Sequence, residues 1–252
     1  MQLQGKTAIV YGGSGALGGA AARAFAREGA EIVLVGRDLS KLNAMAASLP
    51  GARAAALDVR DGAAVAAHAE SLGEIDIVLN AVGIAHVQGA PLAALTLADF
   101  MHPIESYARA YFNIAQAVAP RLRKGGVFIT ISTQGANIAF PGVLGFGTTC
   151  AAIEGFTRHL SAELAPRGAR AICIRSDAIP EALPAGSHAN QVFGPIADAA
   201  GVSLETMLDG AAQAKLLKRM PTLEEFGECA LFAASAGARS MTGAVLNMSG
   251  QA

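Results

Sequence analysis

The sequence predicts an α/β protein built on a doubly wound, mostly parallel seven-stranded sheet with helices on both faces. Three observations point there. Short runs rich in β-branched residues recur along the chain, each followed by a stretch with helical spacing. These runs are apolar at consecutive positions instead of alternate ones, as expected of strands covered on both faces. A glycine-rich turn, Tyr11–Gly18, joins the first run to the first helical stretch. The composition, 52% hydrophobic with 15% charged residues and no tryptophan, supplies a large core.

The elements follow in order. TAIVY at 7–11 reads as the first strand and is followed by a helix over 16–29. EIVLVG at 31–36 leads to a helix at 39–48, and ARAAALDV at 52–59 leads to one at 61–72. IDIVLNAVG at 75–83 precedes a long helix at 96–122, and GVFITIS at 126–132 precedes one at 147–165. ARAICIR at 169–175 is the sixth strand, and a helix at 222–235 leads into the last, AVLNMS at 244–249. Right-handed crossovers between such strands give a doubly wound sheet whose ligands lie beyond the C-terminal strand ends. Between residues 180 and 220 the pattern loosens into proline, glycine and an amphipathic stretch around Leu204–Leu217, which reads as a lid or loop-helix insertion. Alternation continues without a linker or repeat, so residues 1–252 read as one domain.

Charge and cysteine content narrow the function. The formal net charge is −1 with no long basic or acidic run, which argues against nucleic acid or an anionic membrane surface as a partner. Residues 125–153 carry no charge, but Gln134, Asn137, Pro141 and several glycines make them a buried strand and pocket loop instead of a membrane span. Cys150, Cys173 and Cys229 are far apart, which argues against a disulfide framework or a metal site and leaves the cytoplasm as the expected compartment.

The turn YGGSGALG sits between the first strand and the first helix. Glycines there permit positive φ and close backbone approach, and a helix N-terminus offers free N–H groups and a positive dipole end to a phosphate. Here the chain resembles the short-chain dehydrogenase/reductase family, almost from end to end. Tyr11, Gly12, Ala16 and Gly18 match its Thr-Gly-x-x-x-Gly-x-Gly motif with Tyr for Thr and Ala for the middle Gly. LDV at 57–59 is similar to the segment carrying its adenine-contacting aspartate, DIVLNAVG at 76–83 to its Asn-Asn-Ala-Gly motif, and MTGAVLNMSG to its closing strand. The resemblance implies a Rossmann-like fold and dinucleotide contacts from Gly12, Ser14, Gly15, Leu17 and Gly18 on the glycine turn. It adds Asp58 and Val59 beside the base, and Asn80, Ala81 and Gly83 after the fourth strand. Gly36 stands where an acid would bind a ribose 2′-hydroxyl, and Arg37 follows it, which favours NADP over NAD.

The family's catalytic serine, tyrosine and lysine have their counterparts at Thr133, Phe146 and Cys150, and its helix asparagine falls on Tyr107. Phe146 has no O–H with which to act as a general acid, a role contributing about 10²–10⁴ in rate. Cys150 cannot replace a charged donor to the ribose, so NADP binding is expected to be weak. Candidates for replacement chemistry are Thr133, Tyr107 and His86. Gln134, Phe146 and Asp177 are the expected substrate-pocket residues; Asp177 is either a base or the acceptor of a turn. The reading is a divergent NADP(H) oxidoreductase on a small organic substrate. A non-redox enzyme on the same scaffold (cyclase, isomerase or lyase) and a catalytically inactive binding subunit stay open. Small residues at Ala151, Ala152 and Gly155, with the family's helix contacts, imply a homodimer or homotetramer.

Overall fold

The chain starts in the middle of its sheet. The computed structural model describes residues 1–185 and 187–250. Strand β1 (Thr7–Tyr11) lies between β2 (Glu31–Gly36) and β4 (Ile75–Asn80), and β3 (Arg53–Ala56) forms the edge beyond β2. After β4 the chain builds outward on the other side through β5 (Leu122–Thr133), β6 (Arg170–Ser176) and β7 (Ala244–Met248). Every pairing is parallel. The direction of building reverses between β1 and β4, which opens a crevice at the C-terminal ends of those two strands.

Consecutive apolar residues are explained by two cores, one on each face. Ala8, Val10, Ile32 and Leu34 enter one cluster, while Ile9, Tyr11, Val33 and Val35 enter the other. The first face is covered by α1 (Ala16–Arg27), α2 (Leu39–Ala46) and α8 (Leu223–Ala234), the second by α3 (Gly62–Leu72), α4 (Leu97–Val118) and α5 (Leu144–Leu164). Small residues set the spacing: a Cβ on Gly227 of α8 would lie 3.0 Å from the Ala20 carbonyl of α1. Polar caps fix where helices begin. Asp38, Asp61 and Thr96 accept from backbone N–H groups of α2, α3 and α4, and Thr222 with Glu225 closes a reciprocal capping box on α8.

Several elements differ from the sequence expectation, and β4 and α4 end earlier than expected, at Asn80 and Val118. β3 ends at Ala56, so Asp58 and Val59 lie in the loop, held by the Asp61 N–H on the Asp58 carbonyl at 3.0 Å. β5 begins at Leu122, because Leu122 pairs with Ile75 across a register shift. The polar stretch Arg123–Gly126 carries no apolar pattern to reveal this. α5 starts at Leu144 with Gly145 and Gly147 in its first turn. Those glycines serve close packing: Cβ atoms there would lie 3.0 Å from the Phe100 carbonyl and 3.1 Å from the Gly135 carbonyl. The 180–220 segment holds two helices, α6 (Ala189–Ala199) and α7 (Leu204–Gln213), of which α6 was hidden by Gly194 and Pro195.

Candidate functional site

At the end of β1 the backbone turns through Gly12 at φ +75°, where a Cβ would come within 2.5 Å of the Ala81 carbonyl oxygen. The Gly12 and Gly13 N–H groups both donate to the Val35 carbonyl, at 2.7 and 3.1 Å, and Gly15 N–H donates to Gly12 O at 3.0 Å. Gly18 closes the turn, since its Cβ would sit 2.3 Å from Gly12 O. Ser14 is half-buried beside this loop. Helix α1 starts at an N-cap glycine, Gly15, with no side-chain cap. The first-turn N–H groups of Ala16, Leu17 and Gly18 therefore keep their donor capacity.

Around this cradle the charges are sorted. Asp38 accepts from Ser40 and the Lys41 N–H at the start of α2, and the Ser40 hydroxyl, its largest influence, holds its carboxyl below the usual range. Arg37 is exposed at the end of β2. Asp58 is gripped by Arg60, with Nε and Nη2 on its two oxygens at 3.1 and 2.7 Å. That bond, more than the distant Arg37 charge, keeps its carboxyl ionised to lower pH. Asn113 on α4 fixes the same loop by donating to the Val59 carbonyl at 3.0 Å. Neither Arg60 nor Asn113 was singled out in the sequence, although Arg60 stands two residues from Asp58.

On the β4 side the Ala81 N–H donates to Tyr11 O at 2.9 Å, and Asn80 Oδ1 accepts from the Val82 N–H at 3.2 Å. Gly83 follows, with the His188 imidazole lying on it: a Cβ there would meet Nδ1 at 2.3 Å.

The residues proposed for chemistry converge, but they satisfy one another. Thr133 Oγ1 lies 3.2 Å from Cys150 Sγ and accepts from the Gly135 N–H at 3.4 Å. Burial pushes the Cys150 thiol up to about 11, against the opposing pull of the Thr133 hydrogen bond. Tyr107 Oη accepts from the Ile84 N–H at 3.0 Å, and burial raises its phenol well above the ordinary range. Phe146 carries the His86 ring stacked at 4.0 Å, with Tyr107 tilted against it at 6.1 Å. Both His86 nitrogens are engaged, Nδ1 with Ile84 O at 2.8 Å and Nε2 with Gln88 Nε2 at 2.7 Å. A carbonyl on one side and an amide donor on the other select the neutral imidazole protonated at Nδ1. Gln134 donates to Asn247 at 3.3 Å. Asp177 accepts from the Ala178 N–H at 2.8 Å, as in a turn, and pairs with Lys215, a nearly buried lysine brought in from beyond α7. Among the described residues no group of three His, Cys, Asp or Glu side chains could hold a metal, and no helix is long and apolar enough to cross a membrane.

His86 links this site to pH. Burial, the largest cause, lowers its pKa from 6.5 to about 4. The unfolded chain then binds the proton first as pH falls, so the stability carried by the neutral ring is complete above about 6.5 and is lost between there and about 4. At 1.36 kcal/mol per unit, the loss amounts to about 3 kcal/mol. Urea unfolding of the parent and of His86→Leu at pH 7.5, 5.5 and 4.5 checks this: the variant should lose less stability on acidification, and parallel curves would refute the assignment.

Comparison with known proteins bears on the whole chain. A family model described as enoyl-(acyl carrier protein) reductase matches residues 13–250. A D-threitol dehydrogenase of Mycolicibacterium smegmatis is 31% identical over 215 residues, covering 75% of this chain and 82% of that protein. Oxidoreductase UcpA of Salmonella typhimurium is 32% identical over 256 residues, covering 96% of this chain and 92% of the relative. A solved short chain dehydrogenase/reductase family protein superposes with a TM-score of 0.80 at 29% identity, covering 100% of this chain and 98% of that one. With the crevice, the glycine cradle and a match over nearly its full length, this chain belongs to the short-chain dehydrogenase/reductase family.

Proposed function

We propose that this protein is an NADP(H)-dependent oxidoreductase for a small organic substrate, working without the tyrosine–lysine proton transfer usual in its family. The contrast between the two ends of the crevice carries this reading. At the phosphate end the residues fit a dinucleotide: Gly12, Gly15 and Gly18 leave no side chain in the cradle, and α1 is uncapped beside Ser14 and Leu17. Asp58, Val59, Asn80 and Ala81 would flank the adenosine. Arg37 is free to meet a 2′-phosphate because Asp38, the nearest acid, is spent on capping α2. When bound, the cofactor supplies or accepts a hydride.

At the other end Phe146, Tyr107, His86 and Cys150 are not poised to move a proton. Phe146 has no hydroxyl, the Tyr107 phenol is pinned to the backbone, His86 is neutral with both nitrogens occupied, and Cys150 resists ionisation. Thr133 can still orient an oxygen. Such a site suits acceptors that take a hydride readily, such as a conjugated enone or an iminium, with any proton drawn from water. The enoyl reductase description of the matching family model supports the former. A second reading, a binding subunit without catalysis, draws on the same mutual pairing of the polar groups. Three free thiols are in keeping with a cytoplasmic location.

Binding of NADPH and NADH, followed by nucleotide fluorescence, tests the cofactor. NADPH should bind more tightly, and Arg37→Ala should erase the preference; equal affinities in the parent would overturn the Arg37 argument. A panel of simple ketones and conjugated enones tests the chemistry. The parent should leave the ketones essentially unreduced, because losing general acid catalysis alone removes about 10²–10⁴ in rate, while Phe146→Tyr combined with Cys150→Lys should gain ketone turnover. Robust ketone reduction by the parent would sink the reading, and turnover of no substrate class with NADPH tightly bound would favour the binding subunit. The reading also includes self-association through the neighbouring faces of α4 and α5, where Phe112, Ala151 and Ala152 are exposed. Light scattering at micromolar concentration should give a dimer or tetramer, weakened by Phe112→Glu; a monomeric parent contradicts it.

A further inference from the structure

The segment between β6 and α8 is anchored at its base and docked at its tip. At the base, Lys215 pairs with Asp177 beyond the end of β6, and Glu181 accepts the Leu223 N–H at the start of α8 at 2.8 Å. At the tip, His188 stands at the N-cap of α6 but makes no cap bond with its side chain. Its ring instead lies on Gly83 and within 6.2 Å of the His86 ring. His188, Val192 and Ile196 recur at four-residue spacing and so share one stripe of α6. Val192 is buried, and Ile196 rests on Gly89, where a Cβ would meet its Cγ1 at 3.0 Å. The stripe therefore docks on the loop after β4 at two glycines, Gly83 and Gly89, which have no side chain to hold it off.

Gly83 stands two residues beyond Ala81, whose carbonyl abuts Gly12 of the phosphate cradle. A dinucleotide held at the cradle and reaching toward Thr133 would have to cross that backbone. We propose that His188 is a self-inhibitory plug: docking of the α6 stripe sets its imidazole on Gly83 in the cofactor's path, so lid docking and dinucleotide binding exclude each other. This rests on the dinucleotide reading above. It differs from a lid that closes over a bound cofactor, because here the docked state is the empty one and its population sets the apparent affinity.

Two measurements decide it. In titrations with NADPH, His188→Ala should bind at least fivefold more tightly than the parent. Equal or weaker binding by the variant overturns the plug while leaving the cofactor reading intact. Binding by neither protein at millimolar NADPH overturns both. Hydrogen exchange of the nucleotide-free proteins gives a readout independent of binding. Amides over 81–90 should exchange faster in His188→Ala, which removes the ring, and in Gly83→Ala, which pushes against it from the other side. Unchanged exchange in both variants overturns the docking. Saturating NADPH should accelerate exchange over 189–199 in the parent; protection there would mean that the lid closes over the cofactor, and the proposal fails.

Discussion

The crevice exists because Gly12 has no side chain. At that residue the chain leaves β1 in the left-handed region, with the Ala81 carbonyl where a Cβ would stand, and Gly18 returns to within contact of the same residue. One methyl group at either point would pry β1 from β4 or lift α1 from the turn. The N–H groups of Gly12 and Gly13 hold Val35 of β2, and Ala81 N–H holds Tyr11, so three strand ends are tied to one turn. The uncapped start of α1, the position of Arg37 and the course of the loop through Gly83 all depend on that knot. The two apolar cores beneath it give the sheet its rigidity, and the turn gives that rigid sheet a site.

The electrostatics of the site follow from pairing. The acids near the crevice have close partners: Asp58 is bonded to Arg60, Asp177 pairs with Lys215, and Asp38 caps the start of α2. Groups without a charged partner, Tyr107, Cys150 and His86, are kept neutral by burial. An active site for proton transfer usually holds a group whose pKa lies near the working pH. Here burial moves Tyr107, Cys150 and His86 away from it.

Much of the fold was legible because its causes are local. The central strands, buried on both faces, must be apolar throughout, and the edge strands β3 and β7 keep short apolar runs although they are less buried; Gly12 and Gly18 announce themselves because only glycine fits a turn that tight. Two of the boundaries that shifted did so where a polar stretch, Arg123–Gly126, continues a ladder, and where Gly145 and Gly147 serve close packing inside a helix. Within the site, Thr133, Phe146 and Cys150 stand out through the family resemblance, whose motif spacing falls on one strand and one helix. The partners do not. His188 meets Gly83, and Lys215 meets Asp177, only because the insertion folds back, and no periodicity encodes that return. The pairing of Tyr107 with the Ile84 N–H depends instead on how the loop after β4 returns to α4, which the sequence pattern does not show either.

The packing of α8 on α1 has a consequence for how the chain is made. The buried stripe of α1, Ala20, Ala21, Ala24 and Phe25, shares its cluster with Phe226, Ala230 and Leu231 of α8, and Gly227 sits against the Ala20 carbonyl. About two hundred residues separate these surfaces in the sequence. A ribosome delivers the first helix long before the last, so during most of synthesis that stripe faces water or whatever else will cover it. The contact that completes this helical layer becomes available only near the end of synthesis, shortly before β7 joins the sheet. A nascent chain stalled before residue 223 leaves its N-terminal half with an open apolar flank, the state in which chaperones and aggregation compete for it.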